Sequence, residues 1–292
     1  MNLFQKFMAV AKKELNHFGM SSFSGLDDQE IIALNINLKA KMISPFSYQI
    51  KESHEVSMKL ESLDNTYKDA YEEIKLRLKQ GDDVNPFLSK QAINPKFQDY
   101  LLLDWNIHHF HLNSNHTSGY FNDRSDYLLM VLFQNNIAHL IDIEHHSDNE
   151  VFVKKDYIKI IKDNWPNVIE LYELKGVLDI AYNPTNDEIK KLRKSQINAC
   201  LKIDGKIYGQ IGGGITSIGT GVNHIRKAMK WKKYIGSVEK KYKKNKTTVL
   251  EDIYTKTGNR FSELNLDFDE PISKRFSKFG IDTQCSAMIF DN

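Results

Sequence analysis

Residues 127–143 read YLLMVLF-QNN-IAHLIDI, two apolar runs joined by a polar triplet. Runs of this length rich in Leu, Ile, Val, Phe and Tyr favour strands, and asparagine supplies the backbone conformations of a tight turn. The segment predicts an antiparallel hairpin of Tyr127–Phe133 with Ile137–Ile143. Any fold for this chain must accommodate that unit. Ahead of it, Tyr100 to Leu112 reads YLLLDWNIHHFHL. As a strand it places Leu101, Leu103, Trp105, Ile107, His109 and His111 on one face, and Leu102, Asp104, Asn106, His108 and Phe110 on the other. Asp204-Gly205 is a second turn signal, between runs at 199–203 and 206–211.

Helical periods flank these strands. Leu3, Phe7, Val10, Ala11, Leu15 and Phe18 recur at spacings of three and four until Gly19. Asp27 and Glu30 have capping-box spacing ahead of Ile31, Leu34, Leu38 and Met42, and Pro45 breaks that pattern. From Tyr48 the period changes to two, with Ile50, Val56, Met58 and Leu60 alternating with polar residues, which predicts one long or two short strands. Asp64 opens a helix that Gly81 closes, Asp156 opens one that ends before Pro166, and Thr185 with Glu188 forms a second capping box. A last helix carries Ile225, Ala228, Trp231, Ile235, Val238 and Tyr242. The class expected is α+β: a mostly helical N-terminal region, 1–95, then a mostly antiparallel sheet with flanking helices over 96–292. Residues 80–97, with Pro86 and Pro95, are the expected linker.

Composition narrows the partners. Lys+Arg 40 against Asp+Glu 38 leaves +2, so nucleic-acid affinity must come from a local patch and not from the whole chain. Two cysteines, Cys200 and Cys285, cannot build a disulfide framework or a four-thiolate zinc site. No apolar run approaches the ~18–20 residues of a membrane span. Lys12 and Lys13 interrupt the apolar stretch a signal peptide would need. The expectation is a cytoplasmic protein with no membrane partner.

Seven of the ten histidines lie between His108 and His146. Imidazole exchanges protons near neutral pH, so two beside one phosphodiester can serve as general base and general acid. His109 and His111 share a strand face with Cβ atoms about 6.6 Å apart, and His145 and His146 follow the third strand. Arg124, just before the second strand, would add a permanent cation and a bidentate fork for phosphate. These five are the candidate catalytic residues. Trp105 and Phe110 are candidates for stacking on unpaired bases, with core packing the competing role. A metal centre is a competing reading, with His109-Phe110-His111 as an H-x-H pair and Asp142, Glu144, His145 and His146 following.

Two further segments suit an anion. The loop Gly212-Gly213-Gly214-Ile215-Thr216-Ser217 could bring backbone N–H groups of Gly213 and Gly214 and the hydroxyls of Thr216 and Ser217 to a phosphate, although G-x-x-x-x-G-K-[ST] is absent. Between His224 and Lys246 there are ten Lys/Arg and one acid, with Arg226, Lys227, Lys230 and Lys233 in the first turns. That helix would attract a polyanion in a salt-dependent way.

Together these features favour metal-independent cleavage of RNA, with no cofactor expected. The alternatives are a metal-dependent phosphodiesterase or nuclease and a non-enzymatic nucleic-acid-binding protein. The hairpin YLLMVLFQNNIAHLIDIEHH, flanked by Arg124 and histidines, resembles the sheet of RelE/HigB-type and barnase-like endoribonuclease toxins over about 40 residues. Those toxins are shorter, so 1–95 and the C-terminal third would be additions. The resemblance implies an RNA substrate, a toxin or phage-defence context, and an inhibitory or activating protein partner.

Overall fold

The computed structural model describes residues 3–257, so the end of the expected second region, with Cys285, lies outside the described residues. In chain order come α1 (Leu3–His17), α2 (Asp28–Ala40), β1 (Gln49–Glu52), α3 (His54–Ser62), α4 (Asn65–Gln80), α5 (Tyr100–Trp105), β2 (Ile107–His111), β3 (Tyr127–Gln134) and β4 (Ile137–His145). There follow α6 (Asp156–Asn164), α7 (Pro166–Ile169), α8 (Asn186–Lys194), β5 (Leu201–Ile203), β6 (Lys206–Tyr208) and α9 (Val222–Thr257). The class is α+β, as expected.

The main sheet has the order β1-β4-β3-β2. Its β2-β3-β4 part is antiparallel, whereas β1 runs parallel to β4, so the sheet is mixed. Both turns anticipated from sequence close with left-handed backbone: Asn135 and Asn136 at φ 53° and 58°, Asp204 and Gly205 at φ 48° and 80°. Two consecutive residues with positive φ match the right-handed twist of the strands they join. Both expected capping boxes form, Asp27 with Glu30 and Thr185 with Glu188.

Three segments depart from the sequence expectation. Tyr100–Trp105 is a helix and not the first half of a strand, because Asp99 caps it, accepting from the N–H groups of Leu101 and Leu102. Asn106 ends it in the left-handed conformation (φ 58°), and only Ile107–His111 enters the sheet. Likewise the alternation after Glu52 gives way to α3, where Val56 and Leu60 are one helical turn apart. Ser53 decides this, since its Oγ accepts from the Val56 N–H and donates to the Ile141 carbonyl. Finally, residues 80–97 are no loose linker. Val84, Phe87, Leu88 and Ala92 are buried with Phe110, Leu129 and Val131 in the core on one sheet face. The N-terminal region thus contributes both a strand and core to the unit that holds the hairpin.

Each sheet face carries its own core. One face packs Ile107, Leu128, Met130 and Ile141 under α6, α7 and the β5–β6 hairpin. The other packs Phe110, Leu129, Val131 and Leu140 against α3 and α4. A third cluster joins α1, α2 and α9.

A bulge in β4 organises the functional face. Met130 pairs with Asp142 and Val131 with Leu140, leaving Ile141 without an opposite residue. One extra residue reverses the alternation beyond it. Asp142 and Glu144 therefore share the face of Ile141, and cross-strand rows form as His109–Met130–Asp142 and His111–Leu128–Glu144.

Candidate active site

The polar rows lie at one end of the sheet, where β2 and β4 finish and β3 begins. Three histidines meet there. The rings of His109 and His111 are 6.5 Å apart between centroids, and His111 stacks on His146 at 5.7 Å. Phe152 packs edge-on to both His109 (5.1 Å) and His146 (6.1 Å). Position on β2 fixes the first two, and a bond from the His146 N–H to the Asp126 carbonyl holds the third.

The ring nitrogens have distinct settings. His109 Nδ1 faces Asp99 Oδ2 at 3.8 Å, while the other oxygen of Asp99 caps α5. A carboxylate there favours the proton on Nδ1 and leaves Nε2 as a base. His111 differs: its Nδ1 accepts from the Ser125 N–H (3.3 Å), so in the neutral ring Nε2 carries the proton and donates. Burial pushes both histidines down, with Asp99 opposing the shift at His109. His111 falls to about 4, with the neighbouring His109, His146 and Arg124 charges adding to burial. Both are neutral at pH 7.

Arg124 is exposed, one residue before Ser125, close enough for its charge to depress His111. His145 is placed elsewhere. It points to the opposite sheet face, against the Tyr127 ring at 5.1 Å, with Nδ1 bonded to the Ser147 hydroxyl. Adjacent strand residues alternate faces, so of the five residues expected to share one site His109, His111 and His146 meet, with Arg124 near the same edge of the sheet. The remaining histidines of the block are structural: His108 bonds the Ala40 carbonyl, His139 packs on Trp165, and His116 bonds the Gly119 carbonyl. Phe110 is completely buried and Trp105 nearly so, which removes both as stacking platforms.

For the metal reading, Asp142 and Glu144 lie two strands from the histidines, about 10 Å at ordinary strand spacing. Both are engaged by lysines: Lys59 bonds Asp142 (2.8 Å) and Glu144 (2.9 Å), and Lys154 bonds Glu144 (2.6 Å). Among the described residues no three His, Cys, Asp or Glu side chains are grouped to hold a metal ion.

The glycine-rich loop has a different task from the expected phosphate cradle. Gly212 and Gly214 donate their N–H groups to the carbonyls of Asp104 and Leu103, closing the end of α5. The N–H groups of Gly213 and Thr216 are spent on Gln210 and Thr220. A Cβ on Gly212 would lie 2.4 Å from the Leu102 and Leu103 carbonyl oxygens, so the backbone contact itself demands glycine. Ser217 is exposed and Thr216 bonds Thr220. The basic helix does match its expected surface character. Ala228 and Ile235 of α9 are buried and Trp231 stacks on Phe7, whereas Arg226, Lys227, Lys230 and Lys233 are exposed. α9 packs chiefly on α1 and α2.

Sequence reasoning missed three supporting residues: Asp99, Phe152 and Arg193. Arg193, on α8, is buried, donates from Nε to Asp104 Oδ2 (2.9 Å), covers Trp105 at 4.2 Å, and donates from Nη1 to the Phe152 carbonyl. It thus ties α5, which begins at Asp99, to the Phe152 backbone. The capping box that marks α8 was the only signal pointing near it.

The buried histidines make stability depend on pH. His108, His111 and His224 are each held near 4 by burial, against about 6.5 in an unfolded chain. Unfolding takes up a proton at each between pH 6.5 and 4, so stability falls as pH falls through that window. Asp142, raised to about 6 by burial, has the opposite sign and offsets one of the three. His109 and His139 are also lowered by burial and act in the same sense as the three histidines, so unfolding takes up protons on balance. Melting temperature should drop steadily from pH 7 to 4.5, and a flat profile would contradict these assignments.

The fold and site define an α+β protein with a histidine-lined polar corner on a mixed sheet. No protein-family model matches the sequence, and neither a characterised protein nor a solved structure matches it. Among the described residues no helix is long and apolar enough to cross a membrane.

Proposed function

We propose that this chain is a metal-independent endoribonuclease. The observation that carries the reading is the meeting of His109, His111 and His146 on one face, with the Arg124 charge acting on His111. Cleavage through the ribose 2′-hydroxyl needs a base for its proton, an acid for the leaving 5′-oxygen, and donors or cations for the phosphorane. His109, neutral and backed by Asp99, takes the base role through Nε2. Its 3.8 Å separation from Asp99 suits a free enzyme, in which such contacts are often long and tighten on binding. His111 donates from Nε2 to a phosphoryl oxygen, and Arg124 supplies the charge. His146, partly exposed, protonates the leaving oxygen. The test is incubation of purified protein with tRNA, mRNA and single-stranded DNA, with and without EDTA. RNA should be cut under both conditions and DNA left intact.

The basic face of α9 supports an RNA-holding role. Arg226, Lys227, Lys230 and Lys233 have no ion-pair partner among the described residues. Replacing all four by Gln should lower the slope of log binding constant against log salt by up to about 0.7 per lost phosphate contact on single strands. An unchanged slope, measured by titration at several salt concentrations, would leave these side chains a solubility role and remove α9 from the RNA path.

A further inference from the structure

The three histidines that meet are not held in the same way. His109 Nδ1 faces Asp99, and His111 Nδ1 accepts from the Ser125 N–H. Neither ring nitrogen of His146 has a hydrogen-bond partner among the described residues. Its ring is placed by stacking on His111, by the edge of Phe152 and by the backbone bond to Asp126. The segment 146–155, between β4 and α6, therefore decides where this imidazole points. That matters for a proton donor, which must come within about 3 Å of its target.

One side chain ties that segment together. Lys154 Nζ lies 2.6 Å from Glu144 Oε2, two residues before His146, and 2.6 Å from Asp148 Oδ2, two residues after it. The ammonium thus brackets His146 from both sides. Its side chain is 18% exposed and that of Glu144 13%, so solvent screens this bridge less than a surface ion pair. Phe152, two residues before Lys154, is carried by the same segment onto His109 and His146. The bridge is separable from the support of the strand. Lys59, on α3, holds Glu144 Oε1 at 2.9 Å, so Glu144 keeps a cation when Lys154 is removed. Asp148 is partly exposed and can be hydrated in its place.

We propose that Lys154 is a positioning residue for His146: by drawing Glu144 and Asp148 together it sets the imidazole against the leaving 5′-oxygen. The inference rests on the ribonuclease reading. In that reaction the 2′-oxygen attacks phosphorus and His109 Nε2 takes the 2′-hydroxyl proton. The bond from phosphorus to the 5′-oxygen then breaks, and His146 passes its proton to that oxygen. Lys154 is engaged by the two carboxylates and takes no part in either proton transfer. Its effect is confined to the step that uses His146.

The test uses one defined RNA in two forms, with the ordinary linkage or with sulfur replacing the 5′-oxygen at the cleavage position. A thiolate is a much weaker base than an alkoxide and leaves without an acid. Lys154→Met should lower kcat on the ordinary RNA by roughly 10²-fold, the effect of about 1 Å of misplacement, with KM little changed. On the sulfur-containing RNA it should stay within a few-fold of the parent, and His146→Ala should show the same contrast. Lys154→Arg, which can donate to both carboxylates, should recover most of the rate. Asp148→Asn keeps the acceptor for the Glu150 N–H but loses the charge, and should move in the direction of Lys154→Met. The melting temperature of Lys154→Met should fall by no more than about 4 °C, because Glu144 stays paired with Lys59. Equal losses on both RNAs, or unchanged cleavage of the ordinary RNA, would overturn the assignment and leave the ribonuclease reading in place. A parent protein that cuts neither RNA would overturn that reading, and the inference with it.

Discussion

His109→Ala should slow RNA cleavage by roughly 10²–10⁴-fold, the usual worth of a general base, and His146→Ala should do the same for the acid. His111→Ala should lose a comparable factor by removing a donor aimed at the phosphoryl group. His145→Ala is the contrasting variant. That residue faces Tyr127 on the other side of the sheet, so cleavage should stay within a few-fold of the parent. Asp99→Asn separates positioning from catalysis. Asparagine still caps α5, but the negative charge facing His109 is gone, and that charge is what opposes the downward shift of the imidazole. The acid limb of the rate profile, already below the ordinary histidine value of about 6.5, should move to lower pH. An acid limb unmoved in Asp99→Asn would detach Asp99 from the site. Equal losses in His145→Ala and His146→Ala would contradict the geometry.

Arg193→Ala should cost about 3–5 kcal/mol of stability, because it strands the Asp104 carboxylate in the core without a partner. Asp104 is 7% exposed and Arg193 3%, and Asp104 Oδ1 and Arg193 Nη2 have no hydrogen-bond partner even in the intact pair. The pair therefore adds little net stability over apolar residues of similar size. Asp104→Leu combined with Arg193→Met should recover most of the loss, since both desolvated charges then disappear together. Urea denaturation reads this directly: the single variants should shift the midpoint strongly and the double variant much less. A double variant as unstable as the singles would mean that the ion pair itself, with its bond to Phe152, holds α8 in place. Arg193→Ala should also loosen Phe152 and so lower cleavage in the fraction that stays folded.

The parts of the fold legible in the sequence are those determined by neighbours in the chain. Asn135-Asn136 and Asp204-Gly205 specify their turns because few residues adopt positive φ, and both capping boxes are local reciprocal bonds. Where two periods fit one stretch, distant contacts decided. Val56 and Leu60 suit either a strand or a helix, and the Ser53 bridge to Ile141 selects the helix. YLLLDW is similarly ambiguous, and Asp99 together with the Gly212 and Gly214 N–H groups closes it as α5. The glycines illustrate a general ambiguity, since close backbone packing and phosphate binding require the same residue.

Half of the site could be located and half could not. The alternation that puts His109 and His111 together is intrinsic to a strand, so their pairing was visible. The choice between His145 and His146 depends on where β4 ends, and on a bulge at Ile141 with no sequence signature. Asp99 and Phe152 reach His109 directly, and Arg193 reaches Phe152, through contacts that no spacing records.

In the proposed mechanism the 2′-oxygen of the substrate is the nucleophile. The most direct measurement is the end group of the products when a defined RNA is cut by the parent protein in EDTA. The upstream fragment should carry a 2′,3′-cyclic phosphate and the downstream one a free 5′-hydroxyl. The same sequence carrying 2′-deoxyribose at the cleavage position should stay intact. A 5′-phosphate product, or cleavage of the 2′-deoxy substrate, would mean that water attacks the phosphorus and would contradict the roles given to His109, His111 and His146.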